Sequence, residues 1–358
     1  MMGRLLNTRT LPLLATVVVF VLIYAVCAAQ YPAMLGLRVL GNLLTDNAFL
    51  GILAVGMTVV VVAGGIDLSV GAVMGLTTVA LARLIEGAGL PPLAAFALVL
   101  AGGALFGAGI GAAIHVLKAP AFIVTLTAMF LARGCALLIS TDSIPIHTAG
   151  YDALAGAGLA LPGGGRLTLV AGIMLLTFIG GGILLHGTRF GARVFALGGN
   201  AHFAQLMGIN TRSTTILVHA FCSLMAALAG IVFSLYTRSG YALTGTGVEL
   251  DAIAAVVIGG TLLTGGVGGV AGSFIGVLIQ GLILTWITFD GTLSSWWTKI
   301  AIGALLFVFI AVQRLILLAS TRYGRSGAGP GAPTTPHPAA STPVARSSAP
   351  GAAAPSAP

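Results

Sequence analysis

Long apolar runs alternate with short polar connections along almost the whole chain. Leu11 to Ala29, Leu43 to Ala63, Val70 to Glu86, Pro92 to Leu117, Ala121 to Ser140 and Leu167 to His186 form a first series. Thr214 to Tyr236, Val270 to Trp286 and Thr298 to Leu318 form a second, after a longer polar connection. Most of these runs approach the roughly 20 residues that a membrane-crossing helix needs. Asp251 to Gly272 is too glycine-dense, and too short between its breaks, for two ordinary spans, so a half-helix or re-entrant turn is expected there. The pattern predicts an all-α polytopic membrane protein of about ten transmembrane segments, some broken or re-entrant. Arg4 and Arg9 precede the first run, which ends on small residues as a signal peptide does, but the run is longer than the roughly 7 to 15 apolar residues of a signal sequence. It is expected to be a retained first helix.

Two breaks stand out. The second run ends at Gly64-Gly65-Ile66-Asp67-Leu68-Ser69, where paired glycines stop one helix and Asp67 or Ser69 is available to cap the next. The half-helix segment is punctuated by Gly259-Gly260 and Gly265-Gly266. A helix broken at membrane depth is tolerated only against protein or a water-filled cavity, so Gly64, Gly65, Asp67, Ser69, Gly259 and Gly260 are the candidate residues of a central pathway. Glycines 102, 103, 107, 109 and 111 mark the fourth run for close packing against a neighbouring backbone.

The longer polar connection, Gly187 to Ser213, carries Arg189, Arg193 and Arg212 and no acidic residue. Under the positive-inside bias it faces the cytoplasm, and parity then places both chain termini there too. Within it, Asn200 to Met207 allows two turns of helix that put Phe203, Leu206 and Met207 on one face, before Gly208. So short a helix suits either docking in a partner's groove or folding back on its own bundle, and the stretch alone leaves both open.

Composition agrees with the pattern: 58% of residues are hydrophobic, 7% are charged, 52 are glycine, and the mean hydropathy is +1.08. The net charge of +8 comes from basic residues at segment ends, where they orient helices and meet anionic lipid, so nucleic acid is excluded as a partner. Catalytic patterns are missing from the sequence. Neither lysine, Lys118 or Lys299, lies in a phosphate-cradling loop, and the six histidines form no metal-binding pair, so no cofactor and no metal is expected. Cys27, Cys135 and Cys222 lack paired spacing and read as buried small hydrophobes. Arg133 reads as a packed or snorkelling residue, and Glu249 and Asp251 as helix-start acids or residues facing a partner.

The stretches GGIDLSVGAVMG (Gly64 to Gly75), AFIVTLTAMFLARG (Ala121 to Gly134), GGNAHFAQLMGIN (Gly198 to Asn210) and ELDAIAAVVIGGTLLTGGVGGVAGSFIG (Glu249 to Gly276) resemble the membrane permease of bacterial ABC importers for monosaccharides. They occur in the family's order and cover residues 40 to 318. FDGTLSSWWTKIAIG (Phe289 to Gly303) is most similar to the galactofuranose-type permease of that group, and Ala201 departs from the family pattern, in which proline is frequent. The resemblance implies a permease of the ABC importer type in the inner membrane, paired with a second permease subunit. It also implies cytoplasmic ATPase subunits docking on residues 187–213 and a periplasmic binding protein delivering a monosaccharide. Asn200, Phe203, Leu206, Met207 and Gly208 are then the coupling residues, and the pathway is expected at the interface of the two permeases. The permease domain is expected to span 1–318, and the Ala/Pro-rich stretch 319–358 to be a disordered cytoplasmic tail. The competing reading, an ion-coupled secondary transporter of a small polar solute, needs paired intramembrane charges. Arg133 and His219 at mid-span, with Asp67 and Asp251 at breaks, are its candidates.

Overall fold

A computed structural model describes residues 11–294 and 296–326. The helices are α1 (Leu11–Gln30), α2 (Leu37–Asp46), α3 (Ala48–Val62), α4 (Val70–Ala82), α5 (Pro92–Leu117), α6 (Ala121–Ile139) and α7 (Ala149–Ala155). They continue as α8 (Leu169–Gly187), α9 (Arg189–Gly199), α10 (Ala201–Leu206), α11 (Thr211–Thr237), α12 (Val248–Ile258), α13 (Val270–Asp290) and α14 (Trp296–Ser326). Among the described residues, seven helices are long and apolar enough to cross a membrane, and α2 with α3, bent by 55°, supplies an eighth. The expected ten segments are reached only by adding α12 and α14. At 11 residues, α12 is about 16 Å long, half the hydrocarbon thickness, as the glycine-dense stretch predicts. Residues up to Arg314 form one unit, and the described part of the second unit, from Leu315, is the end of α14. Of the tail expected over 319–358, residues 319–326 are helical, as the end of α14, and the rest lies outside the described residues.

α3 is the centre of the bundle. Its sequence, AFLGILAVGMTVVVV, is apolar on every side, and from Leu50 to Val62 every residue is buried. α8, α11, α12 and α13 surround it. Its whole circumference is covered by its own chain, so α3 itself presents no free face. The span also starts earlier than the apolar run from Leu43: α2 begins at Leu37, and the axis bends at Asn47, whose Nδ2 donates to Leu43 O at 2.8 Å.

The most extensive helix pair is α5 against α11. Only glycines at a spacing of four carry it. A Cβ at Gly103 would lie 2.6 Å from Ala227 Cβ, at Gly107 2.3 Å from His219 O, and at Gly111 2.6 Å from Ile216 Cα, whereas Gly102 and Gly109 face open space. Without a hydrophobic drive between helices in lipid, such backbone approach supplies the packing.

At the end of the bundle remote from α9 and α10, the connection 140–168 is more ordered than a loop. It holds α7 and the strands β1 (Ile144–Pro145), β2 (Gly158–Ala160) and β3 (Arg166–Thr168), with β1 paired antiparallel to β4 (Ser239–Gly240) and β2 to β3. Buried Tyr151 anchors α7 by donating to Ser234 Oγ at 2.7 Å, and burial pushes its phenol above the ordinary range, so the donor proton is retained. Cys27 and Cys222 are buried as expected, while Cys135 sits exposed on the outer face of α6.

Candidate functional site: a glycine junction beneath an exposed helix

Three helix ends are closed by the same cap. At the end of α3, Gly64 has φ +84°, its N–H donates to Val61 O (2.9 Å), and Gly65 N–H donates to Val60 O (3.0 Å). At the end of α12, Gly260 (φ +89°) donates to Val257 O and Thr261 to Val256 O, at 2.9 and 3.2 Å. At the end of α10, Gly208 (φ +80°) donates to Gln205 O and Ile209 to Ala204 O, both at 3.0 Å. Each pair of bonds satisfies two carbonyls that a helix end leaves orphaned, and the left-handed turn is one that glycine adopts without steric cost.

Two of these breaks meet, and the last turn of α9 meets them both. Gly266 N–H donates to Val62 O at 2.8 Å, tying the α12–α13 break to the end of α3. A Cβ on Gly198 would lie 1.8 Å from Val62 O and 2.7 Å from Gly266 N. One on Gly265 would lie 2.8 Å from both Gly198 O and Gly64 Cα. Three backbones therefore touch with nothing between them. Gly259 contributes nearby, with its own Cβ position 2.5 Å from Gly272, where α12 turns back along α13.

Clefts flank the junction. One of about 690 Å³ is bounded by Leu13, His186, Phe195, Gly259, Gly260 and Gly266. The other, of about 290 Å³, is bounded by Gly64, Gly65, Ala121, Leu197, His219 and Thr264. The candidate pathway residues Gly64, Gly65, Gly259 and Gly260 thus all border open space at one place in the fold.

Asp67 and Ser69 do something different from capping. Ser69 is the N-cap residue of α4 but makes no side-chain cap bond; instead its N–H and Oγ–H both donate to Asp67 Oδ1, at 2.9 and 2.6 Å. The second carboxylate oxygen lies 3.3 Å from Nδ1 of His219 on α11, and Asp67 and His219 are both buried. Thr125 of α6 donates to Ile66 O at 3.3 Å, so the break is held from two sides. Leaving one member of a buried pair unpartnered costs about 3–5 kcal/mol, whereas removing both costs less. Asp67→Leu and His219→Leu are each expected to lower the unfolding midpoint of the detergent-solubilised chain, and the double substitution to recover part of that loss. Additive losses would show that the pair does not hold the break.

On the polar connection from Gly187 to Ser213, the expected helix exists with a clear start. Asn200 is its N-cap, accepting from Phe203 N–H at 3.0 Å, so the Ala201 departure leaves the helix intact. Phe203, Leu206 and Met207 are 63%, 69% and 83% exposed while Ala204 is buried, so an apolar face points away from the bundle. The sequence reading missed α9, which Thr188 starts by accepting from Gly191 N–H at 3.3 Å. α9 is amphipathic and runs directly from α8 to the glycine junction.

At the opposite end, Arg133 is neither snorkelling nor free. Its Nη1 donates to Ala242 O and, at 2.9 Å, to Thr244 O, pinning the loop between β4 and α12 onto α6. Glu249 accepts from Gly247 N–H at 3.2 Å, and Asp251 pairs with Lys299 at 2.5 Å.

Broken helices capped by glycine, set inside a bundle of membrane-length helices, make this a multi-pass membrane protein with breaks that border open clefts. Residues 39–310 match the family described as the branched-chain amino acid transport system permease component, and the chain belongs to that family. Over 306 residues it is 60% identical to the inner membrane ABC transporter permease protein YjfF of Escherichia coli K12, covering 86% of this chain and 92% of that protein. It is 37% identical to the fructose import permease protein FruG of Bifidobacterium longum, over 88% of this chain and 94% of the relative. With the ribose import permease protein RbsC of E. coli K12 it shares 36% identity, over 83% and 92% of the two chains. No solved structure matches.

Proposed function

We propose that this chain is the membrane-spanning permease of an ATP-driven ABC importer that carries a neutral monosaccharide across the inner membrane. The reading is carried by one arrangement: an exposed apolar helix, α10, joined through α9 to a backbone junction between two broken helices. ATP hydrolysis in a separate subunit moves such helices only through mechanical contact, and α10 offers the face for it. Arg189, Arg193 and Arg212, with no acidic residue beside them, support a cytoplasmic position for that face and, by parity, for both termini. The clefts at Gly64, Gly65, Gly259 and Gly260 are the inner part of the pathway, with Asp67 buried behind them.

A neutral sugar is supported by the relatives named for ribose and fructose import, and by the shortage of unpaired charge around the breaks, where Asp67 is engaged by His219 and Ser69. The Phe289 to Gly303 resemblance narrows the sugar to galactofuranose. The importer is completed by a second permease subunit, the ATPase subunits and a periplasmic binding protein. Uptake into vesicles carrying all components, screened across monosaccharides in pyranose and furanose forms, tests this. ATP-dependent import of one or more sugars is expected. Import of charged amino acids with no competition from any sugar, or uptake driven by an ion gradient without ATP, would refute it.

A further inference from the structure

At the end of the bundle remote from α10 lies a cavity of about 310 Å³, separate from the clefts at the glycine junction. Four elements build it: the α2–α3 bend gives Asp46 and Asn47, α12 gives Asp251, α13 gives Gln280, and α14 gives Trp296 and Thr298. The bend at Asn47 turns that side chain inward, where Gly281 makes room for it, and leaves Asp46 exposed at the cavity's edge. A Cβ at Gly281 would lie 2.3 Å from Asn47 Nδ2.

The polar groups are arranged for an uncharged, hydroxylated ligand. Asp251 is already neutralised by Lys299 Nζ, at 2.5 and 2.7 Å, and Gln280 Nε2 donates to Asp251 O at 3.0 Å. Asp46 accepts from Tyr236 OH at 3.0 Å through Oδ1, leaving its second oxygen to accept from a ligand. Thr298 is 8% exposed, and its Oγ1 is buried without a hydrogen-bond partner among the described residues. A buried hydroxyl left in that state costs on the order of a hydrogen bond, which a ligand hydroxyl would restore. Trp296, 75% exposed at the cavity rim, offers a flat apolar face of the kind that covers the C–H face of a sugar ring. An acyl chain would leave these polar groups unmet, and an ion would find the strongest charges already paired.

We infer that this cavity is a second monosaccharide-binding site, on the side where solute arrives, and that it holds the sugar before the pathway opens. The inference rests on the proposed transport of a monosaccharide. Its volume lies in the range of small-molecule sites, roughly 300–1,000 Å³.

The full-length chain in nanodiscs, labelled with fluorotryptophan, supplies a direct test. The sequence contains three tryptophans, so three ¹⁹F resonances are expected, and Trp296→Phe assigns one of them. Titration with D-galactose, D-ribose and D-fructose is expected to move the Trp296 resonance saturably for at least one sugar, while L-leucine leaves it unmoved. Thr298→Val and Asp46→Asn, which preserve side-chain shape, should each raise the half-saturating concentration at least tenfold. If the complete transporter imports a sugar that does not move Trp296, or if both substitutions leave the titration unchanged, the site is refuted while the transport reading stands. If L-leucine alone moves Trp296 and the transporter imports no sugar, both fall.

Discussion

Gly198→Ala is expected to reduce ATP-dependent uptake at least a hundredfold, while Gly199→Ala, one residue on, leaves it within about twofold of wild type. The difference lies in what each methyl group would meet. At Gly198 it would stand 1.8 Å from Val62 O and 2.7 Å from Gly266 N, both backbone atoms that no side-chain rotation can clear. At Gly199 it would meet nothing within 4 Å. The two substitutions are otherwise alike in the helix propensity they add and the polarity they leave, so intrinsic helix stability cannot separate them. Packed interiors resist even one extra methylene, and here the obstruction is main chain on both sides. Insertion is expected to be normal in both variants, because no spanning segment is altered. Uptake into vesicles, normalised to inserted protein, is the measurement, and equal uptake by the two variants would refute a role for the junction.

Replacing Phe203, Leu206 and Met207 together by serine is expected to abolish stable association with the ATPase subunit and to take transport to background. These three side chains are exposed in the isolated chain, so their loss removes little from its own packing. The N-cap bond from Phe203 N–H to Asn200 is a backbone donor and survives the change. What disappears is the apolar face that a partner would bury, and the anchors of an interface cost on the order of 2 kcal/mol or more each when truncated. Co-purification from solubilised membranes checks it, and wild-type recovery of the ATPase with the triple variant would sink the proposal.

The helical bundle and its breaks are legible in the sequence because lipid imposes a simple rule: backbone polar groups are satisfied within each segment, so apolar length marks a span and paired glycine marks its end. Gly64, Gly208 and Gly260 all take the left-handed turn that such an ending requires. The face of α10 is legible for a similar reason, since three- and four-residue spacing fixes which side chains share a side. The rest depends on what meets across the bundle. Asp67 and His219 lie 152 residues apart, and each alone reads as a cap or an isolated mid-span polar group. Gly198 reads as a loop glycine until Val62 and Gly266 are placed against it. The bend at Asn47 and the helix α9 left weaker traces that could have been found: an Asp-Asn pair opening an apolar run, and a threonine three residues before Gly191 in a connection read as loop.

The central claim is that force applied at α10 reaches the two breaks through the contact at Gly198. The most direct test is the stimulation of ATP hydrolysis by sugar-loaded binding protein in vesicles containing the assembled complex with Gly198→Ala. The ATPase should co-purify with this variant as with wild type, because α10 is unchanged, yet hydrolysis should no longer rise when sugar-loaded binding protein is added. Full stimulation in the Gly198→Ala complex would contradict the account.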